Sequence, residues 1–193
     1  MEQENFSPQE SLKLIQTMIA KTRRDMGDNS SQFLLWGWVT FAGFIGQFIL
    51  KNVFAYQKHY LVWLVTLPTV FISIYLGNKH QKLQKVNTYL GDSMKYLWMG
   101  MGISFFVLSI IFSRMGWSNS VFPFFILFYG MGTFISGKFL QFTPLIVGGI
   151  AAWVLAVGAT YVTYDYQMLF AAAAILFSYI IPAYLMRQKN NPL

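Results

Sequence analysis

Long uncharged apolar runs alternate with short polar stretches along this chain. The first, residues 33–50 (FLLWGWVTFAGFIGQFIL), holds eighteen consecutive residues with no charge. At a rise of about 1.5 Å per residue it measures roughly 27 Å, close to the hydrocarbon thickness of a bilayer. Five more runs follow, at about 60–77, 96–113, 120–136, 143–160 and 167–186. The pattern predicts an all-α integral membrane protein with six transmembrane helices in a domain spanning 31–187, and a short basic tail at 188–193.

Residues 1–30 are patterned differently. Ser7-Pro8-Gln9-Glu10 reads as a helix start, with Ser7 as N-cap, Pro8 in the first turn and Glu10 completing a capping box. The predicted helix covers about 7–26 and stops at Gly27. Leu12, Ile15, Met18, Ile19, Thr22 and Met26 share one side, opposite Glu10, Lys13 and Arg24. Such an amphipathic helix is too polar to span. It suits either the membrane interface or a docking surface for a partner helix.

Breakers mark the remaining boundaries. Pro68 removes a backbone donor from the second run and predicts a kink there. Gly137 to Gln141 reads as a tight link, and Thr143-Pro144 as an N-cap followed by a first-turn proline. The longest connection, 78–95, carries Lys79, Lys82, Lys85 and Lys95 and reads as partly helical. Leu35-Trp36 recurs as Leu97-Trp98 after 62 residues, and Phe71-Ile72-Ser73 as Phe134-Ile135-Ser136 after 63. These echoes, with a looser third copy near Phe177-Ser178, suggest three sequential helical hairpins.

Composition agrees with the pattern: 55% of residues are apolar, 19% aromatic and only 11% charged. The net charge of +7 would suggest nucleic acid in a soluble protein, but here the basic residues lie between apolar runs. They suit anionic lipid headgroups, and no nucleic-acid partner is expected. With six spans both termini share a side. That side carries Lys13, Lys21, Arg23, Arg24, Lys79, Lys82, Lys85, Lys95, Lys138, Arg187 and Lys189, against Lys51, Lys58 and Arg114 on the other. The asymmetry predicts cytoplasmic termini. Tyr56, Tyr60, Trp63, Trp117, Tyr161, Tyr164 and Tyr166 form the expected outer aromatic belt, and Trp36, Trp38, Tyr75, Tyr96, Trp98 and Tyr184 the inner one.

Candidate chemistry is sparse. With no cysteine, thiolate catalysis and cysteine-based metal sites are excluded. All seven acidic residues lie outside the spans, which argues against proton-coupled transport and membrane-embedded hydrolysis. His59 and His80 fall on opposite faces and read as solvated loop residues. No enzyme activity, cofactor or metal is expected. At membrane depth the candidates for a polar cavity or helix contact are Gln47, Ser73, Ser104 and Trp153; the amide of Gln47 must find a polar partner there. Small residues one turn apart, such as Ala42 and Gly46 or Ala152 and Ala156, point to close helix packing and a homodimer. The candidate partner or lipid surface comprises Leu12, Ile15, Ile19, Lys79, Lys82 and Lys85.

The runs SLKLIQTMIAKTRRDM, FLLWGWVTF, LFYGMGTFISGKFLQFTPLIVGGI and SYIIPAYL resemble those of a family of uncharacterised small bacterial six-span membrane proteins. The resemblance implies a bacterial cytoplasmic membrane and a shared architecture, and assigns no functional residues. The expected function is a non-enzymatic scaffold or regulator that binds a cytoplasmic protein or lipid. The alternative is a carrier or channel for a small neutral or lipophilic molecule, suggested by the Pro68 kink, the hairpin repeats and the scattered hydroxyls.

Overall fold

The computed structural model describes the backbone of residues 8–83, 89–117 and 120–190, and the side chains of 30–77, 91–117 and 120–189. Helices account for nearly all of it, and no strand occurs among the described residues. Helix α1 covers Pro8–Asn52. A 3-10 helix at His59–Val65 leads into α2 (Thr66–Leu83), followed by α3 (Tyr89–Met115), α4 (Val121–Phe139) and α5 (Thr143–Ala159). A last rod comprises α6 (Tyr164–Ile175), a π turn (Leu176–Ile180) and α7 (Ile181–Asn190).

Five stretches are long and apolar enough to cross a membrane: Ser30–Asn52, His59–Gly77, Gly91–Met115, Val121–Phe139 and Tyr164–Lys189. The sixth, α5, is apolar but has only 17 residues, about 26 Å of helix against a core of about 30 Å.

The helix expected to stop at Gly27 does not stop. The α1 backbone passes through Gly27 without interruption and merges the amphipathic segment with the first span. One glycine inside a long helix costs only about 1 kcal/mol, too little to break a rod anchored by a packed span. The Leu12, Ile15 and Ile19 side chains lie outside the described residues, as do those of Lys79 and Lys82 and the whole of Lys85.

The core consists of α1, α4, α5 and the α6–π–α7 rod. Lipid offers apolar helices no hydrophobic reason to associate, so close packing has to hold them together. After Leu145, the residues Gly148, Gly149, Ala152, Ala156 and Ala159 place a buried small-residue face along α5. The two adjacent glycines serve different neighbours. A Cβ on Gly149 would lie 2.8 Å from the Gly130 carbonyl oxygen and 2.8 Å from the Phe134 nitrogen of α4; one on Gly148 would lie 2.7 Å from the Ser178 Cα in the π turn. Gly137, expected to open a link, instead sits inside α4. Its absent side chain lets the Ile146 backbone nitrogen approach to within 2.8 Å of where a Cβ would stand.

The N-cap of α5 is Phe142, whose backbone is extended, so Thr143 lies one position inside the helix where a cap was expected. Pro68 falls in the first turn of α2, where its missing donor costs little, and the break appears as the 3-10 to α junction. The Thr66 and Thr69 hydroxyls donate to the Trp63 and Val65 carbonyls beside it, at 2.6 and 2.8 Å. Buried Pro182 has no N–H for the Ser178 carbonyl and would crowd it in a regular helix; the π turn before it relieves that clash.

Helices α2 and α3 flank the core: Met94 of α3 is buried in it, while most of their side chains are exposed or half-buried. α2 touches α1 and the 3-10 helix, and α3 packs chiefly on α4. Within each sequential pair of spans the helices touch, yet the closest packing joins α4 to α5, which belong to different hairpins of the suggested repeat.

Candidate functional site

The buried face of α1 carries two polar clasps. The first lies toward the end of the bundle where α7 finishes, here the terminal end. Gln32 and Trp36, one turn apart, both reach Ser73 of α2. The Ser73 hydroxyl donates to Gln32 Oε1 at 2.7 Å, Gln32 Nε2 donates to the Ser73 carbonyl at 3.2 Å, and Trp36 Nε1 donates to the Ser73 hydroxyl at 3.2 Å.

The second clasp lies toward the opposite, distal end and centres on Gln47, which is only 2% exposed. Its Oε1 accepts from Trp63 Nε1 at 2.7 Å. Its Nε2 donates to the Tyr164 hydroxyl at 3.2 Å and faces His59 Nδ1 at 3.1 Å. Because the amide nitrogen can only donate, the His59 Nδ1 acts as acceptor in this arrangement. One turn further, Lys51 forms an ion pair with Asp165, and its ammonium stands 4.3 Å from the centre of the Tyr164 ring. Beneath lie Phe44, 4.8 Å from the Trp63 ring, and Phe122, 5.1 Å from that of Tyr164.

Chemically, both clasps hold helices together. Each N–H of the Gln47 amide has an acceptor and its carbonyl has a donor, which removes the desolvation cost of an amide among apolar side chains. Among the described residues no three His, Asp or Glu side chains come together as a metal site would require.

The other sequence candidates lie apart. Ser104, on α3, returns its hydroxyl to the Gly100 carbonyl of its own helix at 2.8 Å. Trp153, on α5, fills the notch at Gly130 and donates from Nε1 to the Leu127 carbonyl at 3.2 Å. Gln47, Ser73, Ser104 and Trp153 therefore occupy four separate places.

Sequence reasoning missed His59, which is half-buried and bonded where a solvated loop residue was expected, and the roles of Gln32, Lys51 and Asp165. The available signal was spacing: Gln32 with Trp36, and Gln47 with Lys51, each sit four residues apart on one helical face. A second aromatic group ties α3 to the core, with Trp98 5.9 Å from Phe33 and 5.3 Å from Tyr179, ring to ring.

No family model matches the chain, and no curated protein or solved structure matches it either.

Proposed function

We propose that the chain is a non-enzymatic multi-pass protein of a bacterial cytoplasmic membrane, with both termini in the cytoplasm. Its role is that of a scaffold or regulator that binds a partner at its cytoplasmic face. The observation that carries this reading is the continuity of α1. Within the bundle Ser30, Phe33, Gly37, Thr40 and Phe44 are buried, spaced by three and four residues. The same spacing continues backward without a slip through Met26, Thr22, Ile19, Ile15 and Leu12.

A helix continuous with a span leaves the membrane along the axis of that span, which disfavours lying flat at the interface. Helix α7, which packs on α1 inside the bundle, is the shorter of the two at this end. Trp38 bonds Tyr184 at 3.3 Å, and from there α7 reaches only Asn190, whereas α1 extends back to Pro8. The apolar stripe read from the sequence thus belongs to a length of α1 that extends past the end of α7, and it suits a partner helix laid along it. Carrier activity is less well supported, since Gln47, Ser73, Ser104 and Trp153 spend their polar atoms on bonds within the chain.

Co-purification from native membranes in mild detergent tests the reading. Wild type is expected to retain a protein partner that Ile19→Asp and a chain lacking residues 1–29 both lose, with the bundle's melting temperature unchanged in Ile19→Asp. A wild-type chain that purifies alone, or a partner retained by both variants, overturns it.

A further inference from the structure

Between the two clasps α1 and the 3-10 helix form an open groove of about 330 Å³, lined by Trp38, Val39, Ala42, Gly43, Val62 and Val65. The gap has a structural origin. Gln47 holds Trp63 at its distal end and Gln32 with Trp36 holds Ser73 at its terminal end, so polar bonds anchor both ends of the groove. Ala42 and Gly43 leave the floor without bulk. Trp63 already lies 3.2 Å from where a Gly43 Cβ would stand, which keeps the groove from closing further at that point.

We propose that this groove holds one acyl chain of an anionic phospholipid, with the phosphate received by Arg187. The groove lies at the middle of the Ser30–Asn52 stretch, beside the first turns of the His59–Gly77 stretch, and it is open, so that in a membrane its mouth meets hydrocarbon. Its lining is apolar, and its size falls in the range of small-molecule sites, about 300–1,000 Å³. Its terminal rim is polar: Trp38 lines the groove and donates from Nε1 to the Tyr184 hydroxyl at 3.3 Å. Arg187 follows Tyr184 by three residues, about 4.5 Å nearer the terminal end and adjacent on the helix surface. It is exposed, and no acidic residue occurs in α7. An apolar slot rimmed by an aromatic pair and then a cation matches, in order, an acyl chain, the glycerol region and an anionic phosphate. This inference rests on the membrane-spanning reading and is independent of the docking role of residues 8–29.

The test reconstitutes the full chain in vesicles of phosphatidylethanolamine and phosphatidylglycerol. The probe is phosphatidylglycerol with a diazirine in one acyl chain, or the matching phosphatidylcholine. After irradiation, cross-links are mapped by mass spectrometry. Labelling at Val39, Ala42 and Val65 is expected to exceed that at Val147, Val154 and Val157, the exposed valines of α5, several-fold. The excess should be larger for the phosphatidylglycerol probe and fall to the phosphatidylcholine level in Arg187→Gln. Ala42→Trp, which fills the slot, should lose it for both probes. Equal labelling of groove and α5 in the wild type overturns the proposal without any variant. A groove excess indifferent to headgroup charge overturns the role of Arg187. No labelling of any helix overturns the membrane-spanning reading and this inference with it.

Discussion

Gln47 and Ser104 show how polar side chains within apolar helices can do different work. The Ser104 hydroxyl donates to the Gly100 carbonyl at 2.8 Å, a bond within its own helix. Gln47 joins α1 to the 3-10 helix and to α6. Interhelical bonds in membranes are worth about 0.6 kcal/mol on average and up to about 1.7. Gln47→Leu breaks several at once and leaves the Trp63 Nε1–H without its acceptor. It should therefore cost about 1–2 kcal/mol. Ser104→Ala removes only the hydroxyl's bond to the Gly100 carbonyl of its own helix and should stay within about 0.5 kcal/mol of wild type. Unfolding in mixed micelles with increasing dodecyl sulfate measures both. Equal losses in the two variants would mean that the distal clasp contributes no more than a local bond.

For the elements, the decisive quantity is how closely two backbones approach. At Gly149 an added side chain meets the α4 backbone at 2.8 Å, while at Gly100 and Gly102 on α3 nothing lies within 4 Å. Gly149→Val should push α5 off α4 and cost 3 kcal/mol or more, at about the upper end of overpacking penalties. Gly102→Ala should gain up to about 1 kcal/mol from helix propensity alone. Thermal unfolding in detergent distinguishes the two, and a Gly149→Val protein that melts with wild type would remove close α4–α5 packing as the main source of cohesion. This contrast marks what the sequence could and could not reveal. The apolar runs were legible because bilayer thickness sets their length, and five described helices are long and apolar enough to cross a membrane. The separate roles of Gly148 and Gly149 were hidden, because a glycine that breaks a helix and one that admits a neighbour look alike in one dimension. Gly27 and Gly137 were read as stops for the same reason. His59 was misplaced because its partner, Gln47, is brought to it by a turn whose path the sequence does not specify.

At the scale of the whole molecule, orientation remains to be argued from charge. On the six-span reading of the sequence, eleven of the fourteen basic residues are expected on the side of the two termini, against Lys51, Lys58 and Arg114 at the distal end. Lys51 is moreover paired with Asp165, which lowers its net weight at that end. The chain contains no cysteine, so a single introduced thiol can report its own position. Tyr161 is 85% exposed in the distal turn between α5 and α6, and Gln188 is exposed on the last turns of α7. If positive charge is retained on the cytoplasmic side, a membrane-impermeant maleimide applied to intact spheroplasts labels Tyr161→Cys and spares Gln188→Cys until the membrane is lysed. The reverse pattern would invert the molecule and place the α1 extension outside the cell, where a cytoplasmic partner could not reach it. Labelling of both positions before lysis would mean that these two ends do not lie on opposite sides of a bilayer, and the parallel between span length and membrane thickness would lose its meaning. Each outcome therefore bears on the fold's orientation and on the proposed docking surface together, because α1 joins the two in one uninterrupted helix.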